Sequence, residues 1–149
     1  MNLHICKLHP DAITPTYGTS GAACFDLYAI LDNDVQADAI LPGCSFVVRT
    51  GLAFEVPPGY VLQIYSRSGH GFKHGVRLAN CAGIVDADYR GEVLVCLHND
   101  NPDDAFVINN GDRIAQAMLM PVPRVTFHVV EQLSITERGE GGFGSTGAA

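Results

Sequence analysis

Chemistry-bearing residues crowd together in the stretch Asn80–Glu92, NCAGIVDADYRGE, which sets two aspartates, a tyrosine, an arginine and two glycines between apolar runs. Residues Val76–Ala79 lead in and Val93–Leu97 lead out, a pattern that predicts a β-hairpin or a strand-turn-strand unit. In extended backbone Asp86, Asp88 and Arg90 share one face, because side chains alternate with a period of two. A carboxylate held ionised by an arginine and a bound cation can orient or deprotonate a water. The competing reading makes Asp86 and Asp88 turn-formers whose side chains bond the local backbone. Taken alone, the stretch favours turn-formers, so other parts of the chain must decide.

Four other stretches bear on that choice. Ser66-Arg67-Ser68-Gly69 follows an apolar run and is followed by Gly71 and Gly75. It predicts a strand leading into one short helix, with free backbone N–H groups and a serine hydroxyl suited to an anion; alone it is equally a glycine turn with a surface arginine. Asp26 interrupts the short strand AACFDLYA over Ala22–Ala29, where aspartate is disfavoured, so it is either an edge residue or a placed carboxylate. Arg113–Met120, RIAQAMLM, is apolar enough to be buried, which leaves Arg113 and Gln116 in need of partners and puts Met118 and Met120 in the core. Glu137–Ala149, ERGEGGFGSTGAA, is too glycine-rich for a core. It is a disordered tail, or an arm that orders over a ligand with Arg138, Ser145 and Thr146 as a phosphate clasp and Phe143 as an aromatic cover.

These residues must be held by strands. Met1–Leu8, Phe46–Val56, Tyr60–Tyr65, Ala105–Ile108 and Val125–Val130 all carry strand composition, the last as a final core strand. Turn clusters fall at Pro42-Gly43, Pro57-Pro58-Gly59, Asn99–Asp104 and Asn109–Asp112. Eight or more short strands with almost no helical periodicity predict an all-β chain, a sandwich or jelly roll. The length of 149 residues fits one domain, over residues 1–136, followed by the arm over 137–149.

Composition excludes several classes. With 47% hydrophobic and 17% charged residues the chain is globular. Its formal net charge of −7 and lack of a basic run argue against nucleic-acid binding. No apolar run approaches a membrane span, and Met1–Pro10 lacks the apolar core of a secretory signal, so the expected compartment is the cytoplasm. The five cysteines, at 6, 24, 44, 81 and 96, form no CxxC pair and are expected to be reduced and mostly buried. His70 and His74 are interleaved with Gly71 and Gly75 and lack a neighbouring carboxylate in helical pattern, which argues against zinc.

In chain order, AACFDLYA, SRSG, NCAGIVDADYRGE, RIAQ and RGEGGFGSTG together resemble the five stretches of the trimeric dUTPase family. The resemblance covers nearly the whole chain. It implies a jelly-roll-like β-sandwich or barrel with one short helix and a flexible glycine-rich C-terminal arm. It also implies a homotrimer with shared active sites that hydrolyses dUTP to dUMP and pyrophosphate with Mg²⁺. By that resemblance Asp86 is the carboxylate that holds the attacking water, and Tyr89 packs under the sugar and excludes a 2′-hydroxyl. Asn80 reads uracil, with Gly83 and Val85 beside it in the substrate site; Arg67, Ser68 and Gly69 bind phosphates, and Gln116 lies near the α-phosphate. Asp26 helps to organise the hydrated metal, indirectly through water. Arg138, Gly144, Ser145 and Thr146 meet the substrate from the arm, and Phe143 lies over the uracil.

Three positions depart from the family's usual pattern. Ser66 stands for a usual proline, His70 for a small or apolar residue, and Cys24 for a common glycine. None removes a chemical group. Two other readings remain: a dCTP deaminase on the same fold, for which Glu92 is the nearest candidate, and a regulatory protein that keeps the fold as a nucleotide-sensing switch.

Overall fold

The computed structural model describes residues 1–31 and 37–142. In chain order the elements are β1 (His4–Lys7), β2 (Thr16–Tyr17), β3 (Phe25–Tyr28), β4 (Ala37–Ile40), β5 (Ser45–Arg49), β6 (Leu52–Glu55) and β7 (Tyr60–Tyr65). Then come α1 (Ser68–His74), β8 (Val76–Leu78), β9 (Ala82–Val85), β10 (Leu94–Asn99), β11 (Phe106–Asn109) and β12 (Arg113–Pro121). The chain is therefore all-β with one short helix, as its composition predicts. Every strand pairing is antiparallel.

The largest sheet has the order β2-β3-β12-β7-β9, and a second has the order β5-β10-β8. Two further pairs, β1 with β6 and β11 with β4, complete the jelly-roll-like sandwich. Alternation decides which side chains enter it. In β3, Phe25 and Leu27 are buried and Asp26 points to the other face. The core gathers Leu27, Leu52, Phe54, Leu62, Leu78, Leu97 and Ile114 from both larger sheets and β6, each contributing about 1.5–3 kcal/mol on burial. Buried Asn99 closes the end of β10 by donating from Nδ2 to the carbonyls of Ile40 (2.9 Å) and Asp104 (2.8 Å).

Four expectations need correction. Val125–Val130 is not a core strand: Phe127 is 88% and Val129 102% exposed, and the backbone there joins no sheet among the described residues. An alternating pattern specifies the two faces of a strand but not which sheet edge accepts it, and the described residues offer that segment none. Met118 is only half-buried and Met120 is exposed, because β12 runs out of the core toward Pro121. The cysteines are free, but Cys6, Cys44 and Cys81 are exposed and none is fully buried. Cys44 follows the Pro42-Gly43 turn, Cys81 lies at a bend before β9, and Cys6 lies on β1, whose residues are mostly exposed.

The fourth correction concerns Asn80–Glu92. Its flanking strands β8 and β10 do pair as a hairpin, with Leu78 opposite Leu97. Between them, however, β9 leaves that sheet and pairs with β7 in the other one, with Tyr65 opposite Ala82 and Leu62 opposite Val85. The backbone then turns at Ala87-Asp88, so Asp86, Asp88 and Arg90 do not share an extended face. Arg90 bonds the Ala87 and Tyr89 carbonyls instead of either aspartate. No helix among the described residues is long and apolar enough to cross a membrane.

A candidate active site in two halves

The first half is built where β3, β12 and β7 run side by side. Gln116 is paired with Asp26 on one side and Tyr65 on the other, which brings both polar side chains to the end of β7. The chain then steps through Ser66 and Arg67 into α1, whose N-cap is Arg67, and ends that helix at Gly75 with φ 68°. Arg67 Nε donates to Asp26 Oδ1 at 3.1 Å, and Nη1 donates to the Arg113 carbonyl at 3.3 Å. Arg113 Nη1 reaches Asp26 Oδ2 at 3.5 Å. The Asp26 side chain is only 13% exposed, so it is a placed carboxylate in an interior strand, held by two arginines. Buried charges persist only when paired in this way.

Arg67 Nη2 has no partner among the described residues, and Ser68 and Gly69 are exposed at the start of α1. A guanidinium fork held at Nε and Nη1, with Nη2 unpartnered among the described residues, can receive a phosphate oxygen. Gln116 Nε2 donates to the Ser66 carbonyl at 3.0 Å. Ser66 Oγ accepts the Leu78 amide at 2.8 Å, so the hydroxyl ties this loop to β8. A proline there would lack that acceptor, and the departure therefore strengthens the loop locally. Cys24 adds no new group to the chemistry; burial and the nearby Asp26 raise its thiol pKa.

The second half is the slot left where β9 peels away from β10. A cavity of about 280 Å³ lies there, and Asn80, Gly83, Val85, Asp86 and Tyr89 all line it. Next to Asn80 on its wall, Cys81 turns the chain with a positive φ of 61°. Gly83 lies against Ile64, where a Cβ would approach the Ile64 Cβ at 3.1 Å. Asp86 is exposed at the end of β9, and its carbonyl accepts the Tyr89 amide at 3.2 Å. Local backbone bonding is thus real, as the turn-former reading requires, but it uses the Asp86 main chain. No partner is recorded for the Asp86 carboxylate among the described residues, which leaves it open to solvent at the slot.

Tyr89 is fixed from behind. Its hydroxyl donates to the Glu92 carbonyl at 3.0 Å. Glu92 is itself anchored: Oε1 accepts the Gly51 amide at 2.8 Å, and Arg49 Nε lies 3.2 Å from both oxygens. The tyrosine ring folds directly over Gly91, where a Cβ would stand 2.9 Å from Cε2 and closer still to Cζ and the hydroxyl. The sequence marks Gly91 only as a turn glycine; its need to be glycine comes from this close approach.

The two halves do not meet within one chain. Asp86 lies beyond the Leu62–Val85 pair and Arg67 beyond Tyr65, so roughly 15–20 Å of strand separates them at about 3.3 Å per residue. Arg138 stands apart from both, exposed, with Nε donating to the Gly141 carbonyl at 2.8 Å. Phe143, Gly144, Ser145 and Thr146 lie outside the described residues. From sequence, Arg113 had a need for a partner but no role, and neither Gly91 nor the Glu92 anchor had one. Arg113 had a signal, since a charged residue opens an otherwise buried strand.

This fold and these half-sites define an all-β chain that carries an arginine-led loop at the start of its helix and a slot lined by Asp86 and Glu92. The dUTPase family model matches residues 11–147. The deoxyuridine 5′-triphosphate nucleotidohydrolase of Nautilia profundicola is 48% identical over 147 residues, covering 99% of each chain. That of Helicobacter hepaticus is 45% identical over 150 residues, covering 100% of this chain and 90% of the relative. Among solved structures, the dUTPase of Staphylococcus bacteriophage 80alpha with dUPNHPP superposes with a TM-score of 0.87 at 27% identity, covering 99% of each chain. The chain belongs to the dUTPase family.

Proposed function

We propose that this chain hydrolyses dUTP to dUMP and pyrophosphate, an activity that limits uracil incorporation into DNA and supplies dUMP. The observation that carries this reading is the slot between β9 and β10, with Asp86 open at its rim and Tyr89 forming a wall. Uracil enters the slot and is read by backbone groups of β9 and by Asn80, since a wrong base leaves buried polar groups unpaired. Val85 and Gly83 line the same space. Tyr89 packs under the deoxyribose. Asp86 accepts a proton from a water aligned with the α-phosphate.

The triphosphate lies on Arg67, Ser68 and Gly69, with Gln116 beside the α-phosphate. Because one chain holds Arg67 and Asp86 too far apart, each site combines the loop of one copy with the slot of another. A homotrimer meets that need, and the exposed row Val125, Phe127, Val129, Leu133 and Ile135 is apolar surface for a neighbouring copy to cover. The arm, residues 137–149, closes the site with Arg138, Phe143, Gly144, Ser145 and Thr146. Five free cysteines suit the reducing cytoplasm.

Mg²⁺ fits as a substrate-borne ion. Among the described residues no three ligating side chains cluster, and both oxygens of Asp26 already face arginines. Such a site would hold the ion mainly through the substrate's phosphates, with Asp26 acting on it through water. When bound, the ion neutralises phosphate charge as the leaving pyrophosphate develops. A deaminase would need a free glutamate at the base, but Glu92 is committed to Arg49 and the Gly51 amide.

The test is pyrophosphate release from dUTP, dCTP, dTTP and UTP, with Mg²⁺ and with EDTA. Release from dUTP alone, lost in EDTA, is expected; ammonia from dCTP would replace this reading with the deaminase, and binding of dUTP without release would replace it with the switch. Gly91→Ala is expected to displace the Tyr89 ring and lower the dUTP-to-UTP ratio of kcat/KM by roughly tenfold or more, mainly by admitting the 2′-hydroxyl. An unchanged ratio would detach Tyr89 from sugar selection.

A further inference from the structure

His70 occupies a position that packing alone does not explain. It lies on α1 one residue beyond the phosphate-facing Ser68-Gly69, and its ring sits 5.1 Å from Phe106 of β11, tilted by 60°. Nε2 lies 3.2 Å from Arg67 Nη1. A guanidinium carries only donors, so Nε2 must accept, and the proton must sit on Nδ1. Nδ1 is buried and has no partner among the described residues. An orphan buried donor destabilises the fold, and leucine would fill the same space against Phe106 without one. The chain therefore keeps an unfavourable group whose one polar contact is with Arg67.

We propose that His70 is a positioning residue for the triphosphate: by accepting from Arg67 Nη1 it fixes the guanidinium plane so that Nη2 faces the substrate's phosphates. Three groups thus hold the guanidinium: Asp26 at Nε, and the Arg113 carbonyl and His70 at Nη1. Burial, with the cationic Arg67 beside it, lowers the His70 pKa to about 4, so the imidazole is neutral and able to accept at neutral pH. The inference rests on the assignment of Arg67 to phosphate binding.

Two variants of the full-length protein test it. His70→Leu keeps the apolar contact with Phe106, removes the orphan donor and removes the acceptor. It is expected to melt at the same temperature as wild type or higher, and yet to raise KM for dUTP roughly five- to tenfold with kcat changed less than twofold. His70→Gln places an amide oxygen near Arg67 and is expected to bring KM back to within about twofold of wild type. Deoxyuridine, which carries no phosphate, should bind all three proteins equally. A His70→Leu protein with wild-type KM, or one whose KM rises only together with a lower melting temperature and weaker deoxyuridine binding, would overturn the proposal. Failure of the underlying assignment looks different: Arg67→Ala would itself leave KM for dUTP unchanged.

Discussion

Asp86→Asn is expected to fold, assemble and bind dUTP with near-wild-type affinity while losing about 10²- to 10⁴-fold in kcat, the range typical of removing a general base. The structure separates these effects because the Asp86 main chain, through its carbonyl, holds the turn to Tyr89, while the carboxylate bonds none of the described residues. Asparagine preserves that carbonyl and the size of the side chain. It cannot accept a proton from water at neutral pH. Single-turnover kinetics beside equilibrium binding of a non-hydrolysable dUTP analogue would measure both quantities. A kcat close to wild type would remove Asp86 from the chemistry. Loss of binding together with kcat would instead assign it to the sugar.

The second result concerns the gap between the halves. Asp86→Asn and Arg67→Ala should each be nearly inactive alone. If every site takes Asp86 from one copy and Arg67 from another, mixing the two variants by joint refolding restores some intact sites. In a closed three-membered ring each mixed trimer regains one site of its three, so random mixing should return about a quarter of wild-type activity. No recovery after confirmed mixing would require both residues to act within one chain, against a separation of roughly 15–20 Å along β7. Arg67→Ala also leaves Asp26 with only the long contact from Arg113, so its melting temperature should be checked before the mixture is made.

Local order decided much of what could be read beforehand. Some strand boundaries followed alternating apolar residues and turn residues closely, because both act over a few positions: Tyr60–Tyr65 is β7, and Pro42-Gly43 turns with Gly43 at φ 71°. The run Phe46–Val56 instead breaks at Gly51, φ 66°, into β5 and β6, which join different sheets. The helix after Arg67 was likewise local, marked by Ser68 at its start and Gly75 at its end. The candidate residues on the slot also came from one contiguous stretch, and the structure sets Asn80, Gly83, Val85, Asp86 and Tyr89 around one cavity.

What the chain order could not carry was long-range choice. Nothing local says that β9 leaves its hairpin to pair with β7, yet that departure opens the slot. Nothing near Asp26 announces Arg67 and Arg113, which lie 41 and 87 positions away along the chain and meet it only when β3 and β12 pair. The pattern of Val125–Val130 was real, but a strand's alternation is indifferent to whose sheet receives it, and the chain leaves that row exposed. The sequence by itself determined many of the elements, the fold class and the chemical inventory, because propensity and periodicity are local properties. The tertiary structure decided that this inventory is divided between two ends of a strand, because strand partners are selected by the packing of the whole core.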